Sequence, residues 1–144
     1  MNIADILRTK GSSVVTILPT DTVESAAQAL ASKRIGAVVV RDRRGKLVGI
    51  LSERDITRGL ADNAAAVLGF KVEDLMTKDV KCCTPADTVK EIMSVMTLRR
   101  IRHVPVLDGE DLVGLVSIGD IVKSRLDEQA HEVAVLRDLS LARS

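Results

Sequence analysis

The chain has 144 residues, of which 46% are hydrophobic and 1% aromatic, so it can bury an aliphatic core of one domain or of two small fused units. Its formal net charge of +1, from 21 basic and 20 acidic residues, argues against a nucleic-acid-binding surface. We find no signal peptide and no apolar run long enough to cross a bilayer. The only cysteines are the adjacent Cys82 and Cys83, which excludes a disulfide framework and favours a reducing cytoplasm.

The predicted elements begin with a helical segment in residues 1–13 that includes Ile3–Leu7. A Pro-x-Asp-Thr segment then separates a short strand from a helix, because proline is excluded from central strands and Asp or Thr caps a helix well. Two β-branched strands with a Gly-containing turn follow. The first unit is therefore strand, helix, strand, strand and helix, over Val14–Ile17, Val23–Lys33, Ala37–Arg41, Leu47–Ser52 and a helix from near Asp55.

The same order returns in the second half of the chain. Leu18–Val23 reappears 66 positions later as Thr84–Val89, and Leu47–Gly49 reappears 65 positions later as Leu112–Gly114. The one-residue deletion falls in a turn, where a duplicated unit tolerates it. The second unit is predicted over Val80–Cys83, Val89–Arg99, Val104–Leu107, Leu112–Ser117 and a helix from near Asp120.

This pattern predicts an α/β (α+β) fold of two tandem β-α-β-β-α repeats, related by a pseudo-two-fold axis and packed sheet against sheet. We place repeat 1 at residues 14–60 and repeat 2 at 80–126, with a connecting segment at 61–79 that contains a short helix over Val72–Met76. A C-terminal helix extension covers residues 127–144. Its apolar face is longer than the repeat needs, which predicts a homodimer.

Each repeat ends its last strand in a corner that contains a serine and an aspartate, in Gly49–Asp55 and Gly114–Asp120. A carboxylate at the start of a helix can accept two hydrogen bonds from a vicinal diol, and the helix N-terminus can face an anion. Serine and aspartate at these positions can also simply cap the helix. Because the Gly-x-x-Ser-x-x-Asp pattern occurs in both repeats, the ligand interpretation is favoured, and the capping interpretation stays open.

Taken together, these landmarks resemble the CBS domain, and two in tandem resemble a Bateman module over roughly residues 14–126. The resemblance implies a regulatory protein that binds AMP, ADP, ATP, NAD(H) or S-adenosylmethionine between its repeats. No cofactor is then required, and the expected partners are an adenine nucleotide, a second copy of the chain and an unidentified regulated protein. Basic residues at 102 and 103 favour phosphate-bearing ligands over S-adenosylmethionine.

The resemblance also implies ligand-binding roles for individual residues. In the cleft of repeat 2, which we expect to be better equipped, Asp120 would hold the ribose, Ser117 would lie beside it, and Arg102 and His103 would contact phosphate. The adenine slot would come from repeat 1, through Thr16, Ile17, Asp21, Ile35 and Gly36. The pseudo-symmetric cleft would use Ser52, Arg54 and Asp55.

Other functions remain as hypotheses. The protein could be an interaction scaffold with vestigial clefts, or a nucleic-acid-binding member of the family, although the neutral charge argues against the latter. We find no catalytic triad order, nucleophile elbow, Walker loop or convincing metal-ligand spacing, so we expect neither an enzyme nor a metal site.

Overall fold

The computed structural model describes the backbone of residues 1–143 and the side chains of residues 1–142. The helices are α1 to α6, at Ile3–Lys10, Val23–Lys33, Glu53–Asn63, Val72–Leu75, Val89–Arg99 and Ile118–Arg143. The strands are β1 to β5, at Thr16–Ile17, Ala37–Arg41, Leu47–Ser52, His103–Asp108 and Asp111–Ser117. A 3-10 helix over Ala64–Gly69 connects α3 to α4. The mixed α/β class is confirmed, and the elements follow the predicted order except for the first strand of repeat 2.

Repeat 1 forms a three-stranded sheet in the order β1-β2-β3. β1 pairs in parallel with β2, and β2 pairs antiparallel with β3 in a register that sets Val39 against Ile50. Ala37, Val38, Val39 and Val40 are all buried, as expected for a central strand that is covered on both faces. The predicted bounds of α2, β2 and β3 are confirmed to the residue.

Repeat 2 has the same antiparallel hairpin as repeat 1, but its first strand is shorter. β4 and β5 form an antiparallel pair, and the strand predicted over Val80–Cys83 is reduced to one parallel bridge between Cys83 and Val106. Cys83 makes both hydrogen bonds of that bridge, donating to Pro105 O (2.9 Å) and accepting from Leu107 N (2.8 Å). The reduced strand thus still fixes the entry into the Pro-x-Asp-Thr turn.

The helical segment that precedes each repeat packs on the other repeat. Ile3 N and Ala4 N of α1 donate to Asp87 O and Pro85 O, and the equivalent amides of Val72 and Glu73 donate to Asp21 O and Pro19 O. Two separate cores result: Ile3 and Ile6 belong to the core of repeat 2, whereas Val67 and Val72 belong to that of repeat 1. This exchange ties the two halves of the chain together.

The junction between the first helix and the second strand of each repeat has the same left-handed turn. Thr22 and Thr88 cap the N-termini of α2 and α5, and the C-caps Arg34 and Arg100 have φ angles of 53° and 54°. A residue in this conformation reverses the chain at once. In repeat 2 the turn places three arginines of the segment 99–102 close to the start of β4.

The remaining sequence interpretations concern cysteines and membrane spans. Cys83 is buried in the core of repeat 2, and burial, together with Asp87 and Cys82, raises the pKa of its thiol to about 12, so the thiol is neutral and packs as a small hydrophobic group. None of the helices in residues 1–143 has the length and apolar composition needed to span a bilayer.

Candidate functional site

The two serine–aspartate corners have nearly the same geometry. In repeat 1, Asp55 Oδ2 accepts hydrogen bonds from Ser52 N (2.9 Å) and Ser52 Oγ (3.1 Å), and Ser52 Oγ accepts from Asp55 N (3.2 Å). In repeat 2, Asp120 Oδ2 accepts from Ser117 N (2.8 Å), and Ser117 Oγ accepts from Asp120 N (3.2 Å). Both aspartates therefore cap their helices, and in each the cap occupies Oδ2 rather than Oδ1.

The corner of repeat 1 opens into the larger cavity, of about 750 Å³. Ser52, Arg54 and Asp55 line one side of it, and residues 99–103 of repeat 2 line the other side. Among the described residues, no hydrogen bond is made to Asp55 Oδ1. This carboxylate thus faces a cleft between the repeats with one oxygen available to a ligand.

Gly36 and His103 form the contact between the repeats at this cleft. A Cβ placed on Gly36 would lie 3.0 Å from both His103 Cε1 and His103 Nε2, so the imidazole lies directly over the glycine backbone. Burial holds the pKa of His103 below its usual value, Lys10 and Arg102 lower it further, and Glu53 and Asp120 oppose them. The imidazole is accordingly neutral at pH 7 and can both donate and accept a hydrogen bond.

The corner of repeat 2 has an internal counter-ion instead. Lys10, the last residue of α1, donates from Nζ to Asp120 Oδ2 (2.6 Å) and to Leu115 O (2.7 Å). The cavity at this aspartate is about 240 Å³ and lies between α1 and α6. Burial by itself would raise the pKa of Asp120, but the Lys10 and Ser117 hydrogen bonds and the Lys10 charge hold it below its usual value.

The difference between the clefts follows from one position in the two preceding helical segments. Leu7 packs against Gly114 in the way that Met76 packs against Gly49, which aligns the segments at a shift of 69. At that shift Asp79 stands in repeat 1 where Lys10 stands in repeat 2. A lysine therefore neutralises Asp120, and an acidic residue replaces it in the segment beside Asp55.

The structure brings together part of the predicted set. Gly36, Ser52, Arg54, Asp55, Arg102 and His103 line one cavity. Sequence analysis placed Arg102 and His103 beside Asp120. His103 does lie near Asp120, because it pairs with Ser117 in the β4–β5 hairpin and the Asp120 charge acts on its pKa, but it also lines the cavity of Asp55. The structure differs for Arg102, whose backbone O accepts a hydrogen bond from Ile118 N (2.8 Å) and which lines the cavity of Asp55 and not that of Asp120. The pairing depends on side-chain direction at the entry to β4.

The residues predicted to form the adenine slot, apart from Gly36, do not line either cavity. Thr16 and Ile17 form β1, Asp21 accepts a hydrogen bond from Leu18 N (2.9 Å), and Ile35 packs against the core of repeat 1. Asp21 thus has a structural role in its turn, as does the matching Asp87, which accepts from Thr84 N (2.8 Å).

Sequence analysis missed four basic residues at the two clefts. Arg58, Arg99 and Arg100 line the cavity of Asp55, and Lys10 binds Asp120. The dense basic run at residues 99–103 was a usable signal for two of them. Lys10 could be found only by aligning the helical segments 3–10 and 72–79.

Within the described residues, no group of three or more His, Cys, Asp or Glu side chains is placed to hold a metal ion.

Replacing Lys10 with methionine is expected to raise the pKa of both Asp120 and His103. Asp120 loses a hydrogen bond and a nearby positive charge, and His103 loses a charge that disfavours its protonation. The low pKa of Asp120 contributes stability that is fully present above about pH 4 and is lost as the pH falls through the folded-state pKa. The variant should therefore lose about 0.5 kcal/mol of unfolding free energy at pH 7, because the pair is partly exposed, and this loss should shrink as the pH falls through the folded-state pKa of Asp120.

NMR titration of the carboxyl carbon of Asp120 and of the two histidine rings measures both shifts. Lys123→Met is the control, since Lys123 lines the same cavity and makes no ion pair with the described side chains of residues 1–142. Unchanged titration of Asp120 in Lys10→Met would contradict the ion pair in solution.

Comparison with known proteins identifies both halves of the chain with one family. A family model described as the CBS domain matches residues 3–62 and residues 72–127. The mitochondrial CBS domain-containing protein CBSX3 of Arabidopsis thaliana is 34% identical over 139 residues, which cover 91% of this chain and 68% of that protein. An inosine-5'-monophosphate dehydrogenase of Methanocaldococcus jannaschii is 35% identical over 118 residues, which cover 81% of this chain but 23% of the enzyme.

Solved structures give the same result at the level of the fold. The CBS-domain containing protein ATU1752 from Agrobacterium tumefaciens superposes with a TM-score of 0.84 at 43% identity, over 86% of this chain and 92% of that one. The CBS domain pair of protein MJ0100, in complex with 5'-methylthioadenosine and S-adenosyl-L-methionine, superposes with a TM-score of 0.77 at 30% identity, over 90% of this chain and 98% of that one.

Proposed function

The chain belongs to the CBS-domain family, and from this membership we propose that it is a regulatory module that binds an adenine nucleotide, AMP, ADP, ATP or NAD(H), between its two repeats. Binding rather than catalysis is the activity, and the nucleotide reports energy or redox state to a regulated protein. The ligands of protein MJ0100, which are both adenosine derivatives, support the adenosine part of the proposal.

The observation that carries the proposal is the open cleft at Asp55. Its carboxylate has an available oxygen for the ribose hydroxyls, and Arg102 and His103 face it from repeat 2 across a cavity of about 750 Å³. Asp120, in contrast, is bound by Lys10. We therefore assign one nucleotide per chain to the cleft of Asp55, and not to the cleft of Asp120 that sequence analysis favoured.

A nucleotide in this cleft would contact both repeats at once. Its ribose would hydrogen-bond to Asp55 of repeat 1, and its phosphates would contact Arg102 of repeat 2. Such a ligand favours the relative orientation of the repeats in which both contacts form, and it can shift that equilibrium only by its difference in affinity for the two orientations. The orientation of the repeats is the signal that a regulated partner would read.

We also propose that the chain forms a homodimer through α6. Residues 129–142 of this helix are exposed in the single chain, including Val133 (56% exposed) and Leu136 (66%). A helical extension of this length that is not packed on a domain is marginally stable in water. Leu126, Ala130, Val133 and Ala134 follow one face, and the small side chains of Ala130 and Ala134 allow the same face of a second copy to approach closely.

Calorimetric titration of nucleotide-stripped protein with AMP, ATP, NAD, NADH and S-adenosylmethionine tests the proposed function. We expect micromolar binding of at least one phosphate-bearing ligand, with one site per chain, and weaker binding of S-adenosylmethionine, which lacks phosphate. Folded protein that binds none of the five would contradict the proposal and would favour a scaffold with vestigial clefts.

A further inference from the structure

The cleft of Asp55 has a wall of five arginines that the binding of one phosphate does not explain. Arg54 and Arg58 lie one turn apart on α3, on the side of repeat 1. Arg99, Arg100 and Arg102 come from the junction of α5 and β4, on the side of repeat 2. We call these five residues the arginine wall.

Local backbone geometry explains why three arginines so close in sequence reach the same cavity. Arg99 is the last residue of α5, and Arg100 is its C-cap in the left-handed conformation, with φ of 54° and its N–H bonded to Met96 O. The chain therefore reverses at Arg100, and Arg102 returns to the same edge just before β4 begins. At the equivalent positions of repeat 1 the chain has Lys33, Arg34 and Gly36. Repeat 2 therefore has one more positively charged residue, Arg102, at the entry to the strand.

The arginine wall is not neutralised within the chain. No arginine of the wall forms an ion pair with any described side chain, although four other ion pairs are present. Glu53 and Asp55 are the acidic residues that line the cavity, so five arginines stand against two carboxylates in its lining. His103 adds no positive charge at pH 7, for the reasons given above. The cavity thus has an excess of about three positive charges, a field that concentrates anions.

This excess discriminates among the candidate ligands. A nucleoside monophosphate carries about two negative charges, and each further phosphate of the chain adds about one. S-adenosylmethionine has a positively charged sulfonium group and no phosphate, so the cavity repels it. A triphosphate is long enough to contact guanidinium groups from both repeats, each through charge-assisted and geometrically specific hydrogen bonds.

We propose that the cleft of Asp55 selects an adenine nucleotide with a triphosphate chain, whose distal phosphates bind Arg99 and Arg100. The inference rests on the proposed function and narrows its ligand from adenine nucleotides in general to the triphosphate. Arg102 contacts the phosphate nearest the ribose, and Arg99 and Arg100 distinguish three phosphates from one.

The test compares ATP, AMP and inorganic tripolyphosphate, each titrated by calorimetry at 150 mM salt into the wild-type protein and into the double variant Arg99→Gln/Arg100→Gln. We expect ATP to bind the wild type at least about tenfold more tightly than AMP does. In the double variant, ATP affinity should fall by at least about tenfold, and AMP affinity should change by less than about twofold. Tripolyphosphate should bind the wild type and lose affinity in the double variant.

Arg43→Gln/Arg44→Gln is the matched control, because it removes the same charge from an adjacent exposed pair in the β2–β3 turn, outside the cavity. Its ATP affinity should stay within about twofold of wild type, and thermal unfolding verifies that both double variants are folded. Equal affinities of the wild type for ATP and AMP, or equal losses for both ligands in the variant, would overturn the proposal.

Failure of the proposed function itself gives a different result. If tripolyphosphate binds and depends on Arg99 and Arg100 but neither nucleotide competes with it, the arginine wall binds polyanions and the adenosine assignment is wrong. A single-stranded RNA that binds more tightly than ATP, with an affinity that falls steeply with salt and in the double variant, would overturn the triphosphate proposal in favour of nucleic acid.

Discussion

Asp55→Asn is expected to weaken adenine-nucleotide binding by about 100-fold, and Asp120→Asn to change it by less than about twofold. Hydrogen bonds to a charged acceptor contribute about 1.5–3 kcal/mol each, and a vicinal diol makes two with a carboxylate. In Asp55→Asn the amide oxygen takes the place of Oδ2 in the helix cap, so the NH2 group, which can only donate, takes the place of Oδ1 at the ribose hydroxyl groups. The loss of about 3 kcal/mol corresponds to the predicted factor.

The two substitutions form a matched pair. Each aspartate lies at the third position of its helix and accepts a hydrogen bond from a serine N–H, and an asparagine oxygen can still accept that bond. Calorimetry with ATP measures the affinities, and urea unfolding confirms that the fold is kept. A larger loss in Asp120→Asn than in Asp55→Asn would place the nucleotide in the cleft that Lys10 occupies, and equal losses would require a ligand in both.

Val133→Asp is expected to raise the dissociation constant of the homodimer by at least about 100-fold. In the proposed dimer this side chain passes from 56% exposed to the interior of the helix pair, where an unpaired carboxylate is strongly disfavoured. A two-fold interface contains the substitution twice, which doubles the free-energy cost of burying the carboxylate on dimerisation. Light scattering across a concentration series should show a mass of two chains for the wild type and of one chain for the variant.

Val135→Asp provides the control on the same helix. Val135 is 43% exposed and lies two residues from Val133, which places it on the opposite side of α6. Both substitutions change helix propensity and charge equally, so only the proposed interface distinguishes them. Dissociation by both variants would indicate a general loss of the helix, and dissociation by neither would leave the exposed face to a different partner protein.

Much of the fold follows from short-range patterns in the sequence. The duplicated Pro-x-Asp-Thr segments, the helical spacing in 23–33 and 89–99, and the β-branched hairpins predicted both repeats, and α2, α5, β2 and β3 have the predicted bounds. Capping chemistry and hydrophobic periodicity act over a few residues, so one repeat unit carries all the information they need. The same local reasoning identified Ser52, Asp55, Ser117 and Asp120 as corner residues.

The tertiary structure alone decided which residues share a cleft. Arg102 lies 47 positions from Asp55 and 18 from Asp120, yet it lines the cavity of Asp55, because the packing of the two repeats decides which residues of β4 and its entry face that cavity. Lys10 reaches Asp120 because α1 packs on the distant repeat 2 rather than on its neighbour in sequence. The sequence by itself determined two similar corners, and the packing of each preceding helical segment on the other repeat brought Lys10 to Asp120 and no lysine to Asp55.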